Sequence, residues 1–175
     1  VAAVIVIFLM HLGTSLVPII VLPVATLLAF IPMHLLGINS NIMSLGGIAI
    51  AIGAMVDGCE VLVENAHKRL ERAPRGSDRK EVIIESAKEV GPSIFFALLI
   101  ISVAFLPIFA LTGQAGRLFT PLAWTKTFAM FFGAVTAVTL APALMTLFIR
   151  GKIRPEKDHP VSRFLIMLYR PFVWA

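Results

Sequence analysis

The chain has 175 residues, of which 58% are hydrophobic and 14% charged, with a mean hydropathy of +0.93 and a net charge of +5. No ordinary water-soluble domain of this length carries that balance, so the composition specifies a membrane protein. Most of the basic residues fall in two polar blocks flanking apolar runs, which reads as membrane-flanking charge and not as a nucleic-acid surface, and a single cysteine excludes an intrachain disulfide.

Residues 1–10 are apolar but too few to span, since a spanning helix needs about 20 residues. They read as the end of a transmembrane helix that begins outside this sequence, and with no initiator Met or basic n-region they are not a signal peptide. After a short polar turn, residues 16–36 are expected to cross the membrane. Pro18, Pro23 and Pro32 would break a helix in water, but neighbouring helices re-satisfy the freed backbone groups in a bundle. The uncharged turn 37–41 holds Asn39, Ser40 and Asn41, residues suited to ending one helix and capping the next. Residues 42–67 are the next expected transmembrane helix, and they carry Asp57, expected to be buried.

From 68 to 90 the composition changes to KRLERAPRGSDRKEVIIESAKEV, with seven Lys and Arg, whereas the two earlier turns hold none. By the positive-inside rule this is a cytoplasmic loop, in which Ser77 is expected to cap a short amphipathic helix with Val82, Ile83 and Ala87 against the membrane. Residues 91–111 are the next expected span, 112–120 an external loop charged only at Arg117, and 121–149 the last full span. Arg150, Lys152, Arg154 and Lys157 mark the return to the cytoplasm. In the closing segment, 150–175, Phe164, Leu165, Leu168 and Phe172 recur at helical intervals beside Arg163 and Arg170, as in an interfacial helix. The expected fold is an all-α polytopic membrane helix bundle, cut from a larger protein and without an internal repeat.

Asp57 is the first chemical candidate. A carboxylate in hydrocarbon costs several kcal/mol and is usually found facing a bundle interior or wet cavity, where an acid moved between wet and dry surroundings takes up and releases a proton. The plainer alternative is an acid held permanently by a structural partner. Glu60 and Glu64 follow three and seven residues later, near the same face, and form either an exit ladder for protons or cations or, at Glu64, a solvated interfacial charge. Cys59 points elsewhere on the helix, as a small packing residue or a metal ligand. Gly47 with Ala51 and Ala54 with Gly58 supply small residues at four-residue spacing, which permits close helix contact. Met43 and Met55 on one span and Met130 and Met145 on another are either gap-filling core or soft ligands suited to Cu(I) and Ag(I). No residue is assigned a catalytic role.

The runs IMSLGGIAIAIGAMVDGCEVLVENAHKRLE, EVGPSIFFALLIISVAFLPIF, GRLFTPLAWTKTFAM and IRGKI, in that order, resemble resistance-nodulation-division exporters of the heavy-metal branch. The resemblance covers nearly the whole chain. It implies the second to sixth transmembrane helices of the N-terminal half and the surface helix after them, with the first helix, two periplasmic loops and the C-terminal half outside this sequence. Multidrug members usually carry two adjacent acids, but Gly58 follows Asp57; divalent-metal members usually carry an Asp six residues earlier, where this chain has Ala51. The pattern AIAIGAMVD resembles the copper and silver exporters, which pass monovalent metal along methionine pairs, and Met43, Met55, Met130 and Met145 match those positions. Leu62 stands where a methionine is expected, and Cys59-Glu60 replaces a small and aliphatic pair; Cys59 either supplies the missing sulfur or only packs.

The resemblance further implies that Asp57 belongs to a proton relay with cationic partners on helices outside this sequence. It implies a homotrimer in the lipid of a bacterial inner (plasma) membrane, joined to a periplasmic adaptor and an outer-membrane channel, with no nucleic-acid partner and no cofactor. The transported ion would be Cu(I) or Ag(I) and the coupling ion H+, in a transporter and not an enzyme. The rival readings are a divalent-metal or multidrug exporter of the same family, a proton-coupled protein-translocation subunit, and an inactive remnant.

Overall fold

Four long helices and one short 3-10 turn make up the computed structural model, which describes residues 12–74 and 77–149. Helix α1 is Leu12–Leu35, α2 is Ile42–Arg72, α3 is Arg79–Val103 and α4 is Gly113–Phe148, with the 3-10 turn Leu106–Ala110 between the last two. Among the described residues there is no strand, and all four helices are long and apolar enough to cross a membrane. The architecture is that of a partial all-α membrane bundle. The half-helix expected at 1–10 and the surface helix expected within 150–175 lie outside the described residues.

Helix ends follow local chemistry. The α1 terminus is closed by Gly37 at φ 65°, with Gly37 N donating to His34 O and Ile38 N to Met33 O, the paired bonds of a Schellman motif. Asn41 then opens α2, its side chain accepting from Ser44 N at 2.8 Å. The cap of α3 is Asp78, whose carboxylate accepts from Lys80 N at 3.0 Å; Ser77, the expected cap, sits one residue too early. The expected amphipathic loop helix is the first part of α3 itself, which continues through Gly91 and Pro92 without a break.

At 112–120 the sequence expectation fails. The stretch is polar enough to read as a loop, yet α4 begins at Gly113, also in the left-handed region at φ 68°, and carries Pro121 inside it. A 36-residue helix extends about 54 Å at ~1.5 Å per residue, well beyond a hydrocarbon layer of about 30 Å. Its first turns therefore need no apolar composition. The same reasoning covers α2, which runs five residues past the expected end at 67 and pairs with α3 across the polar hairpin. There Asn65 donates to Ser86 Oγ at 2.9 Å, and Arg69 donates to Glu89 at 2.8 Å while lying 3.6 Å from Glu85.

α4 is the central element and packs against α1, α2, α3 and the 3-10 turn. It can do so because its buried positions are mainly small: Ala123, Ala129, Gly133, Ala134, Ala137 and Ala141 let backbones approach where lipid offers no hydrophobic contrast. Hydroxyls in this apolar setting bond back to their own helix, Thr136 to Phe132 O and Thr26 to Leu22 O, each at 2.8 Å. Large apolar side chains such as Leu27, Ile31, Phe96 and Ile100 point outward, as lipid-facing residues do.

Candidate functional site

α2 and α4 lie side by side and run in the same direction. At one end Thr125 Oγ1 donates to Ser44 O at 3.0 Å; below it Gly47 rests on the Leu122 carbonyl and Thr125, where an added Cβ would overlap both. Further down, Met55 of α2 lies over Gly133 of α4. A Cβ on Gly133 would occupy the space of the Met55 Sδ and Cγ atoms, so the glycine is the recess into which the thioether fits.

The buried stripe of α2 is Gly47, Ala51, Met55, Cys59, Leu62 and Ala66, a three- and four-residue recurrence that turns one face to the bundle. The facing stripe of α4 includes Met130, Gly133, Ala137, Ala141 and Met145. Met55, Cys59, Leu62, Met130 and Met145 all join one core, with exposures of 2%, 2%, 0%, 0% and 0%. Three of the four candidate methionines and the candidate thiol therefore share this core, with Met130 one turn before the Gly133 recess that holds Met55 and Met145 fifteen residues further along α4, about 22 Å at ~1.5 Å per residue. Met43 is not: it sits half-buried in the first turn of α2, outside that core. Leu62 is fully buried in the same stripe, so this position of α2 contributes only hydrocarbon.

Asp57 requires a correction. It was expected to be buried, but in the described bundle it is exposed. It lies two positions from both Met55 and Cys59, which is about 200° around a helix of ~3.6 residues per turn, so burying those two turns Asp57 outward. Glu60 is half-buried, and Glu64 is exposed and ion-paired with Lys68 one turn on, which fits the solvated alternative at that position. Asp57 and Glu64 thus occupy a different face of α2 from Met55 and Cys59. Among the described residues no three His, Cys, Asp or Glu side chains gather as a metal-holding group.

Sequence reasoning overlooked Lys126. It lies in the first half of α4 at 1% exposure, donates from Nζ to Ile101 O of α3 at 3.0 Å, and sits 3.0 Å from the centroid of the Phe105 ring. The signal was present in TKTFAM, because an ionisable residue within an apolar span is a functional candidate by default.

A family model described as the AcrB/AcrD/AcrF family matches residues 1–174. The chain belongs to this family. Within the AcrB/AcrD/AcrF family it is 52% identical to the cation efflux system protein CusA of Escherichia coli (strain K12), over 99% of this chain and 17% of that protein. It is 34% identical to the cobalt-zinc-cadmium resistance protein CzcA of Cupriavidus metallidurans, over 95% of this chain and 16% of that protein. The nickel-cobalt-cadmium resistance protein NccA of Alcaligenes xylosoxydans xylosoxydans is 32% identical, over 87% and 15% respectively. The resemblance to heavy-metal resistance-nodulation-division exporters is borne out. The chain spans about one sixth of the length of these family members.

Proposed function

We propose that the full-length protein carrying this chain exports monovalent copper or silver, driven by inward proton movement, and that the α2–α4 thioether face lies on the metal's route. The observation that carries this reading is the burial of Met55, Met130 and Met145 in one core with Cys59, with Gly133 recessed for the Met55 sulfur. Thioethers and a thiol are soft ligands that suit Cu(I) and Ag(I), and a face without carboxylates holds divalent or alkaline-earth cations poorly. Cys59 lies three residues from Leu62, about 4.5 Å along the axis at ~1.5 Å per residue, close enough to supply a soft sulfur where Leu62 has none.

Asp57 is the proton-carrying group in this reading, placed on the face of α2 away from the metal. Glu60 lies nearest to it on the cytoplasmic side. Because one helix then carries both faces, a proton-dependent movement of α2 displaces the thioethers with it. Each charge crossing the membrane supplies about 2.3 kcal/mol per 100 mV. The working assembly is a homotrimer in a bacterial inner membrane, coupled to a periplasmic adaptor and an outer-membrane channel.

Met55→Leu and Met130→Leu in the full-length protein keep apolar volume and remove only sulfur. Silver transport into inside-out vesicles, normalised to protein abundance, is expected to fall about tenfold, the scale of weakening a metal site by one group. If both variants transport silver like the parent, the methionines are packing residues and the proposal fails.

A further inference from the structure

Lys126 is a buried amine without an acid. α4 carries no Asp or Glu, the acids of α3 stand at its opposite end, and no ion pair of Lys126 occurs among the described residues. What holds the amine is the end of α3. In a regular helix Phe105 N would donate to Ile101 O; instead Phe105 N donates to Ser102 O at 3.2 Å and Ala104 N to Ile100 O at 2.8 Å. That leaves the Ile101 carbonyl outside the helix ladder, and the Lys126 ammonium takes it. A cation at a helix C-terminus also meets the negative end of the macrodipole, and the Phe105 ring presents its electron-rich face to the same ammonium.

Two more contacts pin this corner to the same stretch of α4. Ser102 Oγ donates to Thr127 O at 3.4 Å, and the Phe109 ring packs on Trp124 with centroids 4.6 Å apart. The clamp therefore spans residues 124–127 of α4, and Met130 follows Lys126 by one helical turn, on the same buried side.

We propose that Lys126 is a positioning residue for the thioether face: by gripping the freed Ile101 carbonyl and the Phe105 ring, it locks the α3 corner against α4 and holds the stretch of α4 that carries Met130 and, three residues on, the Gly133 recess for Met55. The consequence for transport rests on the function proposed above; the lock itself does not. An aliphatic side chain of equal length would leave the Ile101 carbonyl unpaired in an apolar setting, and the corner would loosen.

The test uses the full-length protein in native-membrane vesicles, with Lys126→Met to remove the donor and Lys126→Arg to keep a cationic one. Amide hydrogen exchange over 101–111 is expected to rise about tenfold in Lys126→Met, the effect of losing one charge-assisted hydrogen bond, and to return toward the parent in Lys126→Arg. Silver transport should fall in the first variant at unchanged abundance and recover in the second. If Lys126→Met does not accumulate, Phe105→Leu removes the ring alone, and faster exchange with reduced transport is again expected. Unchanged exchange over 101–111 overturns the lock. Faster exchange with full transport overturns the positioning role, and lost transport with unchanged exchange means the amine acts on the moving ion itself. A parent that does not move silver refutes the metal reading while leaving the exchange result to decide the lock.

Discussion

Two positions separate Met55 from Asp57, and that offset places a thioether against α4 and a carboxylate on the opposite, outer side of α2. For the proposed function the division matters, because a soft metal held by the sulfurs and a proton carried by Asp57 would then be handled on separate faces of one helix. Asp57→Asn keeps the shape and removes titration. In proteoliposomes of the full-length protein, it is expected to abolish silver transport driven by an imposed pH gradient, with normal membrane insertion; undiminished pH-driven transport would remove Asp57 from the proton path. Hydropathy alone made Asp57 a buried residue, because an acid inside an apolar run usually faces inward. The side it takes depends on which neighbours the other helices cover, here Met55 and Cys59.

At the level of elements, α2 and α4 approach closely because Gly47 has no side chain. An alanine there would drive its Cβ into the Leu122 carbonyl and Thr125 Oγ1, and backbone of a packed helix cannot step aside as a flexible side chain can. Gly47→Ala should therefore destabilise the protein by about 1–3 kcal/mol, the usual scale of overpacking. Gly46→Ala, with nothing within 4 Å of its added Cβ, should be tolerated. Thermal unfolding of the detergent-solubilised full-length variants measures the difference, and equal midpoints would mean the two helices separate more easily than their contact implies. The four-residue spacing of Gly47 and Ala51 was legible in the sequence. That Gly47 and not its neighbour Gly46 carries the contact was not, because the two differ only in their angle about the helix axis.

At the scale of the molecule, the four helices alternate direction, so the turn after α1 and the corner after α3 lie on one side and the hairpin between α2 and α3 on the other. The hairpin carries Lys68, Arg69, Arg72, Arg79 and Lys80, so the positive-inside rule predicts that it faces the cytoplasm. A cysteine placed by Ser77→Cys in the full-length protein should react with a membrane-impermeant maleimide only in inside-out vesicles, and one placed by Ser40→Cys only in intact spheroplasts. The reverse pattern would invert the topology.

Composition and local pattern determined the membrane setting, the helical class, a capping turn within 37–41, the family and the soft character of the candidate ligands, since each depends on residues within a few turns of one another. Tertiary structure alone decided which of those residues meet. Ser44 and Thr125 are 81 residues apart in the chain, yet they are joined by a hydrogen bond in the same α2–α4 register that seats Met55 over Gly133. The grip of Lys126 on Ile101 likewise depends on where α3 stops coiling, and local propensity does not specify that point. Helix rotation and register are chosen by the sum of contacts across the bundle, so the faces bearing sulfur, carboxylate and amine were separated only once α4 had packed against its neighbours.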